Sequence, residues 1–122
     1  MLFHYHVRQY YLYQHATDMR KGIDALCGMV HSELKQNPLT GDLFIFINGR
    51  KNQLKILHWQ RDGFAIFYKR LEKGTYEFPA LNSDSVSLEI SSQQLLLILD
   101  GVSLLHIKKR SRFQHDFVQK YQ

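Results

Sequence analysis

The chain has 122 residues, with 16 Lys and Arg against 11 Asp and Glu, so its formal net charge is +5 with neutral histidines. With 44% hydrophobic and 22% charged residues, the composition excludes wholesale disorder and fits one domain with its own core. Cys27 is the only cysteine, which excludes an internal disulfide and a cysteine-rich zinc site. The basic excess favours a polyanionic partner: nucleic acid, an acidic membrane surface or an acidic protein.

Targeting and membrane signals are weak along the whole chain. The longest apolar run, Leu95 to Leu99, is far too short to span a bilayer, and Met1 to Tyr13 lacks the apolar core of a signal peptide. We therefore expect no membrane insertion and a reducing, cytoplasmic location. The sequence predicts one domain over residues 1–105 and a basic tail over residues 106–122. No cofactor and no metal site are expected, because His4 and His6 lack two further zinc ligands.

The first part of the chain predicts a strand and then a long helix. Val7 to Tyr13 is rich in aromatic and β-branched residues, which is typical of a strand. Thr17 and Asp18 are good helix N-caps, and the helix is expected to run to about Lys35. Its apolar stripe recurs at spacings of three and four and consists of Met19, Ile23, Leu26, Val30 and Leu34.

Three strands follow, at Leu43 to Ile47, Gln53 to Gln60 and Phe64 to Leu71. Asn48-Gly49 and Asp62-Gly63 are hairpin signals, so the strands should form an antiparallel meander. Since apolar side chains lie on both faces, the sheet should be covered on both sides or strongly curled.

The last elements are a strand at Val86 to Ile90 and a helix at Gln93 to Leu99. Ser91 or Ser92 can cap this helix, and Gly101 can end it. The predicted fold class is α+β: an antiparallel β-meander sheet with a long N-terminal helix and a shorter C-terminal helix.

The hairpin from Lys55 to Gly74 combines aromatic and basic side chains. Aromatic rings such as those of Trp59 and Tyr68 can stack on bases or anchor a partner, and cations neutralise phosphates. The alternative is that the rings fill the core while the cations only solvate the outer face. The face expected to carry Lys55 and Lys69, with Arg61 at its turn, is the better candidate contact surface.

The same hairpin resembles the TnpB accessory proteins of insertion-sequence family sixty-six. Their pattern matches in three blocks that together span about Tyr13 to Phe78, in the family's order and spacing. The blocks are Leu54 to Trp59 with Asp62 to Phe64 and Tyr68 to Gly74; Thr17 to Gly22 followed by Asp24 and Leu26; and Gly41 to Phe46 with Asn48. Gln60 and His58 depart from the pattern, and the part after Pro79 matches only loosely.

This resemblance implies a role in transposition, beside a separate transposase, and we expect no enzymatic activity. We expect the partner to be the transposase, element DNA or both, and a homodimer is an open possibility because a sheet edge invites pairing. The rival interpretation is a protein-interaction module that never touches DNA. The residues expected to bind DNA or partner are Arg20, Lys21, Lys55, Trp59, Arg61, Tyr68, Lys69, Arg70 and Lys73, with Lys108, Lys109, Arg110 and Arg112 in the tail.

A metal-dependent nuclease is the least favoured interpretation. Such a site needs carboxylates that converge on two cations. The available acids occupy cap and turn positions, which explain them without catalysis. They are Asp18, Asp24, Asp42, Asp62 and Glu72.

Overall fold

Five strands form one mixed sheet with a helix on each face, in a computed structural model that describes residues 7–77 and 85–101. The strand order across the sheet is β4-β3-β2-β1-β5. The elements are β1 (Tyr10–Tyr13), α1 (Ile23–Ser32), a single 3₁₀ turn (Pro38–Thr40), β2 (Leu43–Ile47), β3 (Gln53–Trp59), β4 (Phe64–Arg70), β5 (Ser87–Ile90) and α2 (Ser92–Asp100).

The middle strand β2 separates two apolar cores, and all five of its residues are buried. Phe44 and Phe46 point to the α1 side, where they pack in the same cluster as Leu26 and Val30 of the helix. The opposite side of β2 packs in the cluster that contains Leu95 and Ile98 of α2, and its residues are Leu43, Ile45 and Ile47. The expectation of a sheet covered on both sides is confirmed.

The meander is confirmed for β2, β3 and β4, which pair antiparallel in sequence order. The expectation of a wholly antiparallel sheet is wrong, because β1 and β2 run parallel. Helix α1 lies between these two strands in the chain, and a helical crossover brings the next strand back in the same direction. At the far edge, β5 pairs antiparallel with β1.

The predicted long N-terminal helix is also wrong, since α1 has only 10 residues. The Thr17 amide donates to the Ile47 carbonyl oxygen at 2.9 Å, which ties the preceding segment to the end of β2. The Asp18 carboxylate accepts the Arg20 amide at 2.9 Å, and the Lys21 amide donates to the Asp18 carbonyl oxygen at 3.1 Å. Asp18 therefore organises a turn instead of capping a helix. At the other end the chain leaves the helix through Lys35, whose φ is 56°.

The second helix follows the sequence prediction closely. Ser91 and Gln94 form a reciprocal capping box at its start, and Gly101 ends it in the left-handed conformation at φ 84°. No helix within the described residues is long and apolar enough to cross a membrane. The predicted basic tail and its four cations lie outside the described residues, as do His4 and His6. The homodimer stays a prediction.

Candidate nucleic-acid interface

The register of the β3–β4 hairpin decides which of its cations share a face. Lys55 pairs with Tyr68 and Gln53 pairs with Arg70, and these residues lie on the α1 side of the sheet. Lys69 pairs with Leu54, which belongs to the core on the α2 side. The prediction that Lys55 and Lys69 share a face is therefore wrong.

The two-residue length of the turn explains the error. The Gln60 amide donates to the Gly63 carbonyl oxygen at 2.8 Å, so Arg61 and Asp62 form a two-residue turn one position earlier than predicted. With any two-residue turn, the numbers of paired residues add to an odd sum. Two odd-numbered residues on opposite strands therefore face opposite ways.

The cation at the tip of the hairpin lies far from the cations at its open end. Arg61 is exposed there, and its φ of 67° is left-handed. Trp59 is half-buried and packs edge-on against Phe64 at 4.9 Å between ring centroids. Seven-residue strands that rise about 3.3 Å per residue put Arg61 about 20 Å from Arg70. These two cations therefore belong to different surfaces.

Three chain segments converge at the open end of the hairpin and form what we call the basic face. The turn before α1 meets the β2–β3 loop across a cleft of ≈ 600 Å³, whose lining includes Arg20, Arg50 and Gln53. The Lys55 ammonium donates to the Lys21 carbonyl oxygen at 2.7 Å, which joins this turn to the hairpin. The basic face consists of Arg20, Lys21, Arg50, Lys55, Tyr68 and Arg70.

Tyr68 provides the aromatic surface of the basic face. Its side chain is 48% exposed, although it lies in a regular strand. Its hydroxyl donates to Gln53 Oε1 at 2.6 Å, and Lys55 Nζ lies 5.8 Å from its ring centroid. The ring is therefore held between two neighbours and still offers area to a partner.

Two cations of the basic face have acidic neighbours. The Arg20 guanidinium lies 2.7 Å from Asp18, and its hydrogen bonds lower the pKa of that carboxyl to about 2. Arg70 lies 3.1 Å from Glu72. Both pairs are well exposed, and exposed pairs contribute little stability, so a phosphate can compete with either acid.

The other three cations, Lys21, Arg50 and Lys55, form no ion pair within the part of the chain that the structure describes. Together with the two exposed pairs, they leave the basic face with an excess of positive charge. Such an excess attracts polyanions, because each cation that meets a phosphate releases a counterion.

Sequence reasoning missed Arg50, Thr17 and Gln53 of this site. Arg50 lies in the loop that follows Asn48-Gly49 and lines the cleft together with Arg20. Thr17 also lines the cleft, is 3% exposed, and has a hydroxyl oxygen with no hydrogen-bond partner among the described residues. The available signal was loop length: Arg50-Lys51-Asn52 exceeds what a tight hairpin turn needs.

The remaining predicted site residues are spread over the molecule. Lys73 is exposed in the segment after β4, Lys69 lies on the α2 side, and Trp59 and Arg61 lie at the hairpin tip.

Asp42 and Asp62 both have local structural positions. Asp42 is buried and accepts a hydrogen bond from the Thr40 hydroxyl at 2.7 Å, and Asp62 lies in the hairpin turn. Within residues 7–77 and 85–101, no group of three His, Cys, Asp or Glu is placed to hold a metal ion. Cys27 is half-buried, and burial together with Asp24 raises the pKa of its thiol.

Fold and surface together define a small α+β protein that presents a cationic, partly aromatic face at one end of a mixed sheet. The chain belongs to the family described as IS66 Orf2 like protein, whose family model matches residues 8–109. The resemblance found in the sequence is thereby confirmed.

Two relatives come from Sinorhizobium fredii (strain NBRC 101917 / NGR234). Uncharacterized protein y4hO is 36% identical over 90 residues, which cover 74% of this chain and 76% of the relative. Uncharacterized protein y4jC is 29% identical over 94 residues, which cover 77% and 79%. No solved structure gives a significant match.

Proposed function

We propose that this chain is an accessory protein of insertion-sequence transposition and that its basic face binds element DNA. The observation that carries the proposal is convergence: three separate segments bring five cations and an exposed tyrosine to one face. Membership of the IS66 Orf2 like family supports the link to an insertion sequence.

The architecture favours contact with the DNA backbone over the reading of base edges. The buried residues of α1 and α2 pack against the two faces of the sheet, so neither helix stands clear in the way a recognition helix does. Lysine and arginine side chains on a sheet end suit phosphate contacts, which position a protein on DNA without reading sequence. We therefore expect affinity that depends strongly on salt and weakly on sequence.

The test is a binding titration with labelled element-end DNA at increasing salt. With three to five phosphate contacts, the affinity for duplex DNA should fall by roughly 40- to 500-fold between about 50 and 200 mM salt. Lys21→Gln and Arg50→Gln should each weaken binding, because both remove an unpaired cation of the basic face. Lys69→Gln is the matched control, since Lys69 is equally basic but lies on the opposite face.

The proposal fails if the protein binds no element-end DNA at low salt. It also fails if Lys69→Gln weakens binding as much as Arg50→Gln does, because the affinity would then follow net charge and not the basic face.

The second candidate function is a transposase-binding module without DNA contact. The observation that favours it is an apolar pair on α2, where Leu96 is 63% and Leu97 is 37% exposed. Exposed leucines at neighbouring positions suit a protein partner better than a phosphate backbone. A pull-down with the transposase should then be lost in Leu96→Glu and kept in Arg50→Gln, with or without element-end DNA.

A further inference from the structure

We infer that the DNA held by the basic face is single-stranded, with an unpaired base stacked on Tyr68 and its neighbouring phosphate in the cleft between Arg20 and Arg50. This inference rests on the proposed function and names the form of DNA that the same face takes. Three features of the face carry it: an open aromatic ring, a side-chain amide directed by that ring, and a concave basic cleft beside both.

The ring of Tyr68 is fixed in place while much of its surface is open. Its backbone is held in β4 by pairing with Lys55, and its hydroxyl is held by Gln53 at 2.6 Å. A fixed ring loses little conformational freedom when a base stacks on it, so most of the stacking energy is kept. Bases in a duplex are already stacked on one another, so only an unpaired base offers its face to the ring.

Gln53 links the ring to the cleft. Its Oε1 accepts the hydrogen bond from Tyr68, and the residue also lines the cleft. Because the oxygen is engaged by a hydroxyl donor, the Nε2 group remains as a donor for a phosphate or a base edge. Tyr68 therefore supplies a stacking surface and also orients the side-chain amide of Gln53.

The cleft has the size and charge for the sugar-phosphate of one nucleotide. Its volume is ≈ 600 Å³, and Arg20 and Arg50 line it from different segments. The Asp18 carboxylate that pairs with Arg20 also lines it, so the two cations exceed the acid by one charge. The buried hydroxyl oxygen of Thr17, which has no partner within the described residues, belongs to the same lining. A concave basic seat next to an aromatic ring is the arrangement by which proteins bind single strands without reading their sequence.

The experiment compares a labelled single-stranded oligothymidine with a duplex of the same length by fluorescence anisotropy. The full chain should bind the single strand at least about tenfold more tightly than the duplex. Tyr68→Leu removes the ring and should weaken single-strand binding by about 5- to 150-fold and duplex binding clearly less, because a duplex offers no unpaired base to the ring. Tyr68→Phe keeps the ring and loses only the hydroxyl, so it should retain most of the affinity. Tyr68 is exposed, and circular dichroism checks that each variant folds.

The possible outcomes separate the inference from the proposed function. Equal or tighter binding of the duplex overturns the inference and leaves DNA binding intact. An equal loss on both substrates in Tyr68→Leu also overturns it, because the ring would then serve only as a general support of the face. Tighter binding of an RNA strand of the same length overturns the assignment to DNA. Failure to bind any of these strands at low salt overturns the inference and the proposed function together.

Discussion

The two ends of the β3–β4 hairpin differ in how they hold charge. The open end gathers Lys55 and Arg70 with cations from two other segments, all on the outside. The tip has one exposed cation, Arg61, and below it the buried imidazole of His58, which is 1% exposed. In the sequence both ends look equally basic and aromatic. The comparison teaches that a charged hairpin is one site only where register and neighbouring loops bring its cations together.

The largest expected effect tests the apolar core beneath the middle of the β3–β4 hairpin. Leu57 is fully buried in the middle of β3 and belongs to the cluster that contains Leu26 and Val30 of α1. Leu57→Ala should lower the free energy of unfolding by about 2–5 kcal/mol, because it removes buried methyl groups and leaves a cavity. Urea denaturation followed by circular dichroism measures the change.

Leu96→Ala is the matched control for this prediction, since the same truncation at a 63% exposed position should cost less than about 0.5 kcal/mol. Equal costs in the two variants would contradict the packing described for α1 and the sheet.

The next effect tests the comparison itself by reversing one charge at each end. Arg50→Glu should weaken binding to element-end DNA by about tenfold or more, because it replaces an attraction to phosphate by a repulsion within the basic face. Arg61→Glu makes the same change in net charge at the other end of the hairpin and should weaken binding by less than about threefold. Anisotropy titrations at one salt concentration compare them. Equal losses would mean that both ends contact DNA.

The free energy of unfolding should depend on pH through His58, which lies buried near the hairpin tip. Burial lowers the pKa of this imidazole below its ordinary value of 6.5, although a hydrogen bond to the Gly41 backbone opposes the shift. As the pH falls through 6.5, the unfolded chain takes up a proton that the folded chain resists, so the free energy of unfolding should fall. Urea midpoints at about pH 7.5 and about pH 5.5 measure this.

The variant His58→Gln isolates the contribution of this side chain. It should be less stable than the wild type at the higher pH, because it replaces a packed ring, but its midpoint should change less between the two pH values. If the urea midpoint of His58→Gln falls with pH as steeply as that of the wild type, other groups cause the acid sensitivity.

Much of the fold could be predicted because its signals are local. Short apolar runs separated by turn signals predicted β2, β3 and β4, and the serine before α2 marked the start of that helix. The start of α1 could not be read, because Asp18 offers the same side-chain oxygen to a helix N-terminus and to a tight turn. A long-range contact, the hydrogen bond from the Thr17 amide to the Ile47 carbonyl oxygen, favours the turn.

The candidate site was only half predictable for the same reason. Lys55, Tyr68 and Arg70 were identified because they follow one another along a hairpin, where their neighbours are set by pairing. Arg50 and Thr17 reach the same cleft only through the crossover that lays β1 beside β2. No sequence spacing encodes that approach. Lys69 was wrongly placed on the face of Lys55, because odd-numbered residues on strands joined by a two-residue turn face opposite ways wherever that turn lies. Arg61 lies at the other end of the hairpin.

The smallest expected effect concerns the backbone at the hairpin tip. Arg61 has a φ of 67°, a left-handed conformation that costs a residue with a side chain about 1–2 kcal/mol. Arg61→Gly should remove that cost, while the greater freedom of glycine in the unfolded chain returns about 0.5–1 kcal/mol of it. The net expectation is a gain of about 0.5 kcal/mol in stability. Thermal unfolding should show the gain with DNA affinity almost unchanged. A stabilised variant that loses DNA binding would instead place the tip in the interface and merge the two ends into one site.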